Sequence, residues 1–248
     1  SDGTTNTLQV TTEVTYDALG NAARNRIKIN NNGTEATDLV DSYKVYDAAG
    51  RVRYEIDALG GVIENGYDAL GQVVSIKRYA NAVISGIPLG STAYTLADMP
   101  LSLSADAAND RTLTMTYDAA GRKTAVQQSQ VSAYTYAGFV EDAASTEIYT
   151  WNALGQMVRE TLIGRTANGA TAITGASTVH YYDALGRRTG SVDAMGYYTR
   201  FEYNALGQVA RQVEYATALT SWIESSLPAA PAAHTNDRST AYEYDQLS

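Results

Sequence analysis

The side chains best suited to chemistry in this sequence are two histidines, His180 and His234, and a series of regularly spaced aspartates. Neither histidine has a serine and an aspartate beside it in the arrangement typical of nucleophilic hydrolysis. The sequence also lacks the H-E-x-x-H zinc motif, the phosphate-binding P-loop and the G-x-G-x-x-G dinucleotide motif. It contains no cysteine, which excludes disulfides and thiolate metal sites. We therefore predict no catalytic residue, no cofactor site and no metal site.

Calcium binding is the alternative role for the repeated aspartates. Asn30-Asn31-Asn32-Gly33 resembles a calcium loop only faintly, because it has no alternating carboxylates and no terminal glutamate. Asparagine also takes the aspartate position at 152 and 204, and a metal site rarely tolerates that loss of charge. We expect a turn in each case.

Charge and hydropathy restrict the classes of partner. The formal net charge is -9, from 18 basic and 27 acidic residues, so the chain has no general electrostatic attraction for nucleic acid or for an anionic membrane. No apolar run approaches the roughly 18 residues of a membrane-spanning helix. The first ten residues are polar and contain no signal-peptide core. We expect no nucleic-acid partner and no membrane insertion, and we interpret the chain as a fragment of a longer protein.

A short pattern recurs throughout the chain: an aromatic residue, Asp or Asn, Ala, Leu or Ala, and Gly. Two further copies have Ile56 or Val192 in place of the aromatic residue, and a truncated copy begins at Tyr244. The residues that define the full copies are Tyr16, Asp17, Gly20, Tyr46, Asp47, Gly50, Asp57, Gly60, Tyr67, Asp68, Gly71, Tyr117, Asp118, Gly121, Trp151, Asn152, Gly155, Tyr182, Asp183, Gly186, Asp193, Gly196, Tyr203, Asn204 and Gly207.

Each copy has the chemistry of a hairpin turn. The Asp or Asn side chain can accept a hydrogen bond from the backbone N–H two residues later, and Ala and Leu fit the central positions of a type I turn. Glycine then supplies the positive φ that such a turn with a bulge requires. We predict that these residues form structural turns.

The spacing of the turns predicts the topology of the sheet. The turns at residues 46, 56 and 67 lie about ten residues apart, which leaves short strands of alternating polarity between them. In a meander, successive turns lie on opposite edges. Strand counting then places every Tyr or Trp turn on one edge, and the turns at Ile56 and Val192 on the other.

The irregular stretches obey the same alternation. The chain is predicted to be a single array over residues 1–248 with about fifteen strands. Its insertions, at about 30–40, 80–110, 129–146, 164–177 and 216–239, all lie on the edge that lacks aromatic turns. A longer unit also repeats, since residues 46–80 align without gaps on residues 182–216 with 16 identities in 35 positions. Short helical turns are expected only in the insertions.

Two insertions contain apolar residues followed by proline. We predict that Leu96, Trp222, Ile223 and Leu227 fold back on the sheet as local plugs, and the alternative is that both insertions are mobile loops. The tyrosines beside the turns are expected to pack across strands. An exposed platform for sugars is the competing interpretation of the same tyrosines.

The repeated motif resembles the tyrosine-aspartate, or RHS, repeat. Tyr67-Asp68-Ala69-Leu70-Gly71-Gln72-Val73 and Tyr182-Asp183-Ala184-Leu185-Gly186-Arg187 carry the resemblance, which extends over essentially the whole chain. Members of this family include shell components of bacterial insecticidal toxin complexes, RHS-type polymorphic toxins, wall-associated proteins and teneurins. The resemblance implies a long, curved antiparallel sheet, a segment of a spiral β-shell that in the toxins encloses an effector. The family's Asp-Pro autoprotease motif is absent, because none of the four prolines follows an aspartate.

The leading hypothesis is a non-catalytic scaffold of a secreted or cell-surface protein. The chain would form a wall segment of an RHS-type shell, and its partners would be further repeats of its parent protein and an enclosed toxin or effector domain. A surface adhesin or carbohydrate-binding module, which would act on a glycan or cell-surface partner through the insertion-bearing edge, is the alternative. A hydrolase is a third and weaker one.

Overall fold

The protein was analysed as a computed structural model, which describes residues 8–31, 39–81, 94–99, 103–135, 138–165 and 172–245. Within these residues, fifteen antiparallel strands form one open sheet, and each strand lies beside its neighbours in the sequence. The predicted all-β class, the meander topology and the strand count are confirmed. Within the described ranges, no helix has the length and apolar composition needed to span a membrane.

The strands follow the predicted spacing of the turns. Their bounds are β1 Leu8–Tyr16, β2 Ala22–Asn31, β3 Leu39–Tyr46, β4 Val52–Ile56, β5 Val62–Tyr67, β6 Val73–Arg78, β7 Arg111–Tyr117, β8 Lys123–Thr135, β9 Gly138–Trp151, β10 Met157–Arg165, β11 Ala172–Tyr182, β12 Arg188–Val192, β13 Tyr198–Tyr203, β14 Val209–Glu214 and β15 Arg238–Ala241.

The strands divide into two compact units. Unit 1 comprises Ser1–Met115 and Gln128–Asp142, and unit 2 comprises Thr116–Gln127 and Ala143–Ser248. Each unit has its own hydrophobic core. The two cores occupy equivalent positions in the internal repeat, since Ile56 and Val62 in unit 1 correspond to Val192 and Tyr198 in unit 2.

Two of the expected insertions are mostly strand. β8 continues to Thr135 and β9 begins at Gly138, so the segment 129–146 lengthens a hairpin instead of forming a loop. The segment 164–177 likewise contributes to β10 and β11. The alternation of Val131, Ala133 and Thr135 in the sequence accounts for the first of these extensions. Residues 32–38, 82–93, 100–102, 136–137 and 166–171 of the expected insertions lie outside the described residues.

The core of unit 1 is closed by the first plug, residues 94–99 and 103–110. Met99 is completely buried, and it packs with Tyr94 against the sheet residues Tyr43 and Ile56. The Tyr43 and Tyr94 rings meet edge to face, with 4.5 Å between their centroids. A tight turn presents both plug residues to the sheet.

Asp98 closes that turn, because its carboxylate accepts hydrogen bonds from the backbone N–H and the hydroxyl of Thr95, at 2.8 and 2.7 Å.

The core of unit 2 is closed by the second plug, residues 216–237. Leu219 and Trp222 pack against a buried cluster that contains Val192 and Tyr198. The plug is tied to the sheet by backbone, since Leu219 N donates to Gly196 O at 2.8 Å and the Tyr181 hydroxyl donates to Ile223 O at 3.1 Å.

The prediction of folded-back plugs is correct in kind, but some of the residues were wrong. Leu96 is 39% exposed and Ile223 is 63% exposed, so neither anchors a plug. Leu227 is also largely exposed, although one of its methyl groups lies over Gly190. The anchors are Tyr94 and Met99 in unit 1 and Trp222 with Leu219 in unit 2. In the first plug the tight turn determines which residues face the sheet. It directs the residues on either side of it toward the sheet, whereas Leu96 lies within the turn and faces away.

An aspartate clamps the base of each plug. Asp110 accepts hydrogen bonds from the backbone N–H groups of Ala80, before the loop, and Asp106, near its end, at 2.9 and 3.0 Å. Asp237 accepts equivalent bonds from Ala216 and His234, at 2.8 and 2.9 Å. Each carboxylate therefore joins the two ends of its insertion. Both clamps occur in the sequence Asn-Asp-Arg that immediately precedes a strand.

Candidate functional site

The repeated turns form the most regular feature of the molecule, and we take the edge that bears the Tyr and Trp turns, the tight-turn edge, as its candidate functional site. In every full copy the Asp or Asn Oδ1 atom accepts two backbone N–H groups, from the residues two and four positions later. In the turn at Asp183 these donors are Leu185 and Arg187, at 3.0 and 2.9 Å. A single side-chain oxygen thus closes the turn.

The backbone has the type I geometry with a glycine bulge. Gly186 N donates to Asp183 O, and Asp183 N donates to Arg187 O. Gly186 has a φ of 82°, which a residue with a Cβ atom adopts only with strain. The turn therefore depends on Asp or Asn at its second position and on Gly at its fifth.

In six of the turns the aromatic residue forms a hydrogen bond to the preceding turn on the same edge. Its polar tip donates to the backbone carbonyl six residues after the aromatic residue of that earlier turn. The bonds are Tyr46 to Ala22, Tyr67 to Val52, Trp151 to Lys123, Tyr182 to Met157, Tyr203 to Arg188 and Tyr244 to Val209, at 2.7–3.0 Å. Phenol and indole N–H are interchangeable here because only a donor at the end of a long flat ring is needed.

The residue after the turn glycine forms a second connection. Arg51, Arg122 and Arg187 each donate from Nε to the aspartate of their own turn. Each of these guanidinium groups also lies over the aromatic ring of the next turn, at 4.5 Å for Arg51 on Tyr67 and for Arg187 on Tyr203, and at 5.6 Å for Arg122 on Trp151. Cation–π attraction and the charged hydrogen bond therefore act on the same pair of turns.

In five of the Tyr and Trp turns the charge of the turn residue is matched by the residue four positions later. The three arginines follow Asp47, Asp118 and Asp183. Where the turn residue is neutral, as in Asn152 and Asn204, the corresponding residue is glutamine, and the asparagine Nδ2 donates to the glutamine Oε1 at 2.7 and 2.8 Å. Both Asn turns therefore have a Gln partner, whereas Asp occurs with Arg and also with the neutral Asn21 and Gln72.

The same contacts depress the pKa of the turn carboxylates. The pKa of Asp183 lies below its ordinary value because the backbone N–H of Arg187 donates to it; burial opposes this, and the Arg187 guanidinium lowers the pKa further. The pKa of Asp118 is lowered by the same two groups of Arg122. These carboxylates are held ionised as hydrogen-bond acceptors, which suits a structural role.

The two turns without an aromatic residue carry the same hydrogen bonds but serve the cores. Ile56 and Val192 occupy the aromatic position, and both are buried beneath a plug. Their turn aspartates, Asp57 and Asp193, accept hydrogen bonds from the backbone N–H groups of Gly61 and Tyr197, four residues later. An aliphatic side chain at this position therefore marks the plug-bearing edge.

The histidines do not assemble a reactive centre with the turns. His180 lies in β11 and is buried, and burial followed by the charge of Arg188 lowers its pKa. His234 lies in the second plug, where its Nδ1 accepts the Asn236 N–H at 3.1 Å. Across the described ranges no group of three or more His, Asp or Glu side chains is placed to hold a metal ion.

Sequence reasoning located the turns but missed both connections between them. The carbonyl that accepts each bond lies six residues beyond an aromatic residue. It cannot be recognised from residue type, because every residue has a backbone carbonyl. The partner was visible in the sequence as a long polar residue that follows the turn glycine, Arg at 51, 122 and 187 and Gln at 72, 156 and 208, and that signal would have identified it.

Charge matching leads to a first testable prediction. Asp183→Asn alone leaves the Arg187 guanidinium without its carboxylate, and Arg187→Gln alone removes the cation from the Tyr203 ring; each should lower Tm by several degrees. The double variant D183N/R187Q recreates the Asn–Gln pair of the neighbouring turns, so it should recover most of the loss from D183N. Thermal unfolding of the four proteins gives the coupling directly. Simple addition of the two losses would contradict the pairing.

Comparisons with known proteins agree with this geometry. Residues 182–218 match the family model of the RHS repeat. Three solved structures have a similar fold: the TcdB2-TccC3-TEV complex, the TcdB2-TccC3-Cdc42 complex and the TcdB2-TccC3 complex. Their sequence identities to the chain are 14%, 13% and 14%, with TM-scores of 0.52, 0.51 and 0.52.

The alignment covers 93% of this chain in each case, but only 10%, 10% and 11% of those chains, so the chain spans about a tenth of their length. A search of curated protein sequences found no significant match. The family match falls on a turn with every feature described above, from Asp183 to the Tyr203 link, so residues 182–218 are similar to an RHS repeat in both sequence and structure.

Proposed function

We propose that this chain is a non-catalytic wall segment of an RHS-type shell that houses a toxin or effector domain of its parent protein. The observation that carries the proposal is the set of connected turns along the tight-turn edge. The polar groups of these turns form hydrogen bonds with neighbouring turns, as in the six bonds from aromatic side chains to backbone carbonyls. Such an edge fixes the spacing of the strands.

The plugs and their clamps support the same function. They bury apolar side chains on the sheet within each unit, so each unit has its own core. The chain covers only about a tenth of the TcdB2–TccC3 chains whose fold it shares, and its repeat resembles that of shell components of toxin complexes; both support a containing role for a larger protein. Its partners would be further repeats of the parent and the enclosed domain, and the parent would be secreted or displayed at a cell surface.

Protease protection tests the proposal. The natural protein that carries this array is treated with a broad-specificity protease, and the surviving fragments are identified by mass spectrometry. We expect sequences from outside the array to survive with it. A Met99→Ala variant, which loosens the wall, should lose that protection, and a Leu96→Ala variant should keep it. Equal digestion of these sequences in the wild type and in M99A would refute the container role.

The position of Trp222 weakens the carbohydrate-binding alternative, for which this residue was the first candidate to contact a sugar. Trp222 packs against the second core instead of offering a free ring to a sugar, so its loss would destabilise unit 2 whatever the ligand. Glycan binding through the plug-bearing edge remains a prediction, and the variant that tests it must change an exposed side chain such as Tyr197, which is 43% exposed.

A further inference from the structure

Two arginines of unit 1 lie directly opposite each other on neighbouring strands. Arg78 is the last residue of β6 and Arg111 is the first residue of β7, and the two are partners in the antiparallel pairing. Side chains of paired residues lie on the same face of a sheet, and like charges directly opposite each other are destabilising. Unit 1 therefore retains an unfavourable arrangement of charge at this point of the sheet.

No acidic side chain compensates the two positive charges. Both arginines are exposed, and within the described ranges neither guanidinium has an ion pair, a hydrogen bond or an aromatic ring beneath it. The adjacent Lys77, in contrast, pairs with Asp110 at 2.9 Å. Acidic residues outnumber basic ones by 27 to 18 in this chain, so a carboxylate partner for the arginines would be a simple substitution away.

Unit 2 has the ordinary arrangement at the equivalent place. Glu214 is the last residue of β14 and Arg238 is the first residue of β15, and these two are paired in the same way. Arg111 and Arg238 both follow the clamp aspartate in the sequence Asn-Asp-Arg. Opposite charges thus face each other in unit 2, so the fold itself does not require the pair of like charges in unit 1.

A groove of about 310 Å³ lies beside Arg78. Lys44, Glu55 and Ile63 line it, and they form one cross-strand row with Arg78. Asp57 also lines the groove. The two carboxylates disfavour an anion along most of its length, so negative charge on a ligand would be held at the arginine end, and a neutral polar part would lie in the groove.

We propose that Arg78 and Arg111 bind a phosphate or sulfate group. Each guanidinium presents a planar fork of N–H donors, and this geometry matches the oxygens of a tetrahedral oxyanion. A doubly charged anion between the two arginines would replace their repulsion by charge-assisted hydrogen bonds. The group is either a free ion or an ester on a larger molecule that extends into the groove. This site goes beyond the proposed function, because a wall segment needs no ligand.

Calorimetric titration of the full chain with inorganic phosphate, at constant ionic strength, tests the site. We expect one site with a Kd of about 1 mM, and Arg111→Gln should weaken binding at least about tenfold. Arg238→Gln, the matched control in unit 2, should leave binding unchanged. Phenyl phosphate distinguishes the two sources: tighter binding than that of the free ion indicates an ester whose body lies in the groove, and equal binding indicates a free ion.

Thermal unfolding gives an independent measurement. Arg78→Glu recreates the opposite charges of Glu214 and Arg238, so it should raise Tm by about 1–3 °C in phosphate-free buffer. Phosphate should raise the Tm of the wild type more than chloride does at the same ionic strength, but it should not do so in R78E. A lower Tm of R78E without phosphate, equal effects of phosphate and chloride on the wild type, or unchanged binding by R111Q would overturn the inference. None of these outcomes alters the protease-protection test of the container role.

Discussion

Met99→Ala should reduce the free energy of unfolding of unit 1 by about 3 kcal/mol, the usual cost of truncating a fully buried methionine. Met99 has 0% exposure and lies in the same cluster as Tyr43, Ile56 and Tyr94. Removal of its side chain leaves a cavity between the first plug and the sheet, where Tyr94 and Leu103 are the other apolar plug residues of the cluster. Amide hydrogen exchange in β3, β4 and β5, measured with increasing urea, gives the change directly.

Leu96→Ala is the matched control, because it removes a similar side chain three residues earlier on the same plug. Leu96 is exposed to solvent, and exposed substitutions of this kind usually change stability by less than about 0.5 kcal/mol. If the two variants lose equal stability, the plug does not pack through Met99. If neither loses stability, the first insertion is not part of the core.

Asp110→Ala should be nearly as damaging, at about 2–3 kcal/mol. The Asp110 side chain is 4% exposed, and it pairs with the Lys77 ammonium at 2.9 Å in addition to the two backbone groups that it clamps. Its loss leaves Lys77 and two N–H groups without their acceptor and releases the base of the plug. Urea unfolding followed by circular dichroism measures the loss.

The second clamp provides the comparison. Asp237 accepts two backbone N–H groups but has no lysine partner, since Val213 takes the position that corresponds to Lys77. Asp237→Ala should therefore be milder than Asp110→Ala. A larger effect at Asp237 would show that the ion pair contributes nothing to the first clamp.

Low pH should destabilise unit 1 by protonating the same Asp110 carboxylate. Burial raises the pKa of Asp110, but the Lys77 side chain and the backbone N–H groups of Ala80 and Asp106 outweigh it, so the net pKa is lowered from 3.8. A group whose folded pKa is depressed stabilises the protein above its unfolded pKa, and that contribution is lost as the pH falls through the folded pKa. Stability of unit 1 should therefore fall below about pH 4, and D110A should flatten this part of the profile.

The fold was predictable from the sequence because each turn is determined by the residues of its own motif. Asp183, Gly186 and Tyr182 each perform a local task that follows from their chemistry, and repetition of the motif makes the assignment secure. The strand order follows from the short spacing between turns, as for the turns at 46, 56 and 67, which leaves no room for crossover connections.

The plugs were only partly predictable, because packing and not local chemistry selects their anchors. Leu96 and Met99 are similar apolar residues three positions apart, and only the geometry of the turn at Thr95 and Asp98 determines which one faces the sheet. The tyrosine links were missed for a different reason. Their acceptors are backbone carbonyls, such as Arg188 O, whose positions depend on the register between strands and not on residue type.

The order of donor and acceptor in the sequence, in the hydrogen bonds from aromatic side chains to carbonyls, affects how such a chain folds during its synthesis. Each donor lies later in the sequence than its acceptor, by 15 residues for Tyr203 and Arg188 and by 35 at most, for Tyr244 and Val209. A ribosome delivers the acceptor first, so each newly emerged hairpin finds its partner already in place. Closure over such short distances is rapid even for a sheet of fifteen strands. The wall can therefore be completed in the order of its synthesis, one hairpin at a time.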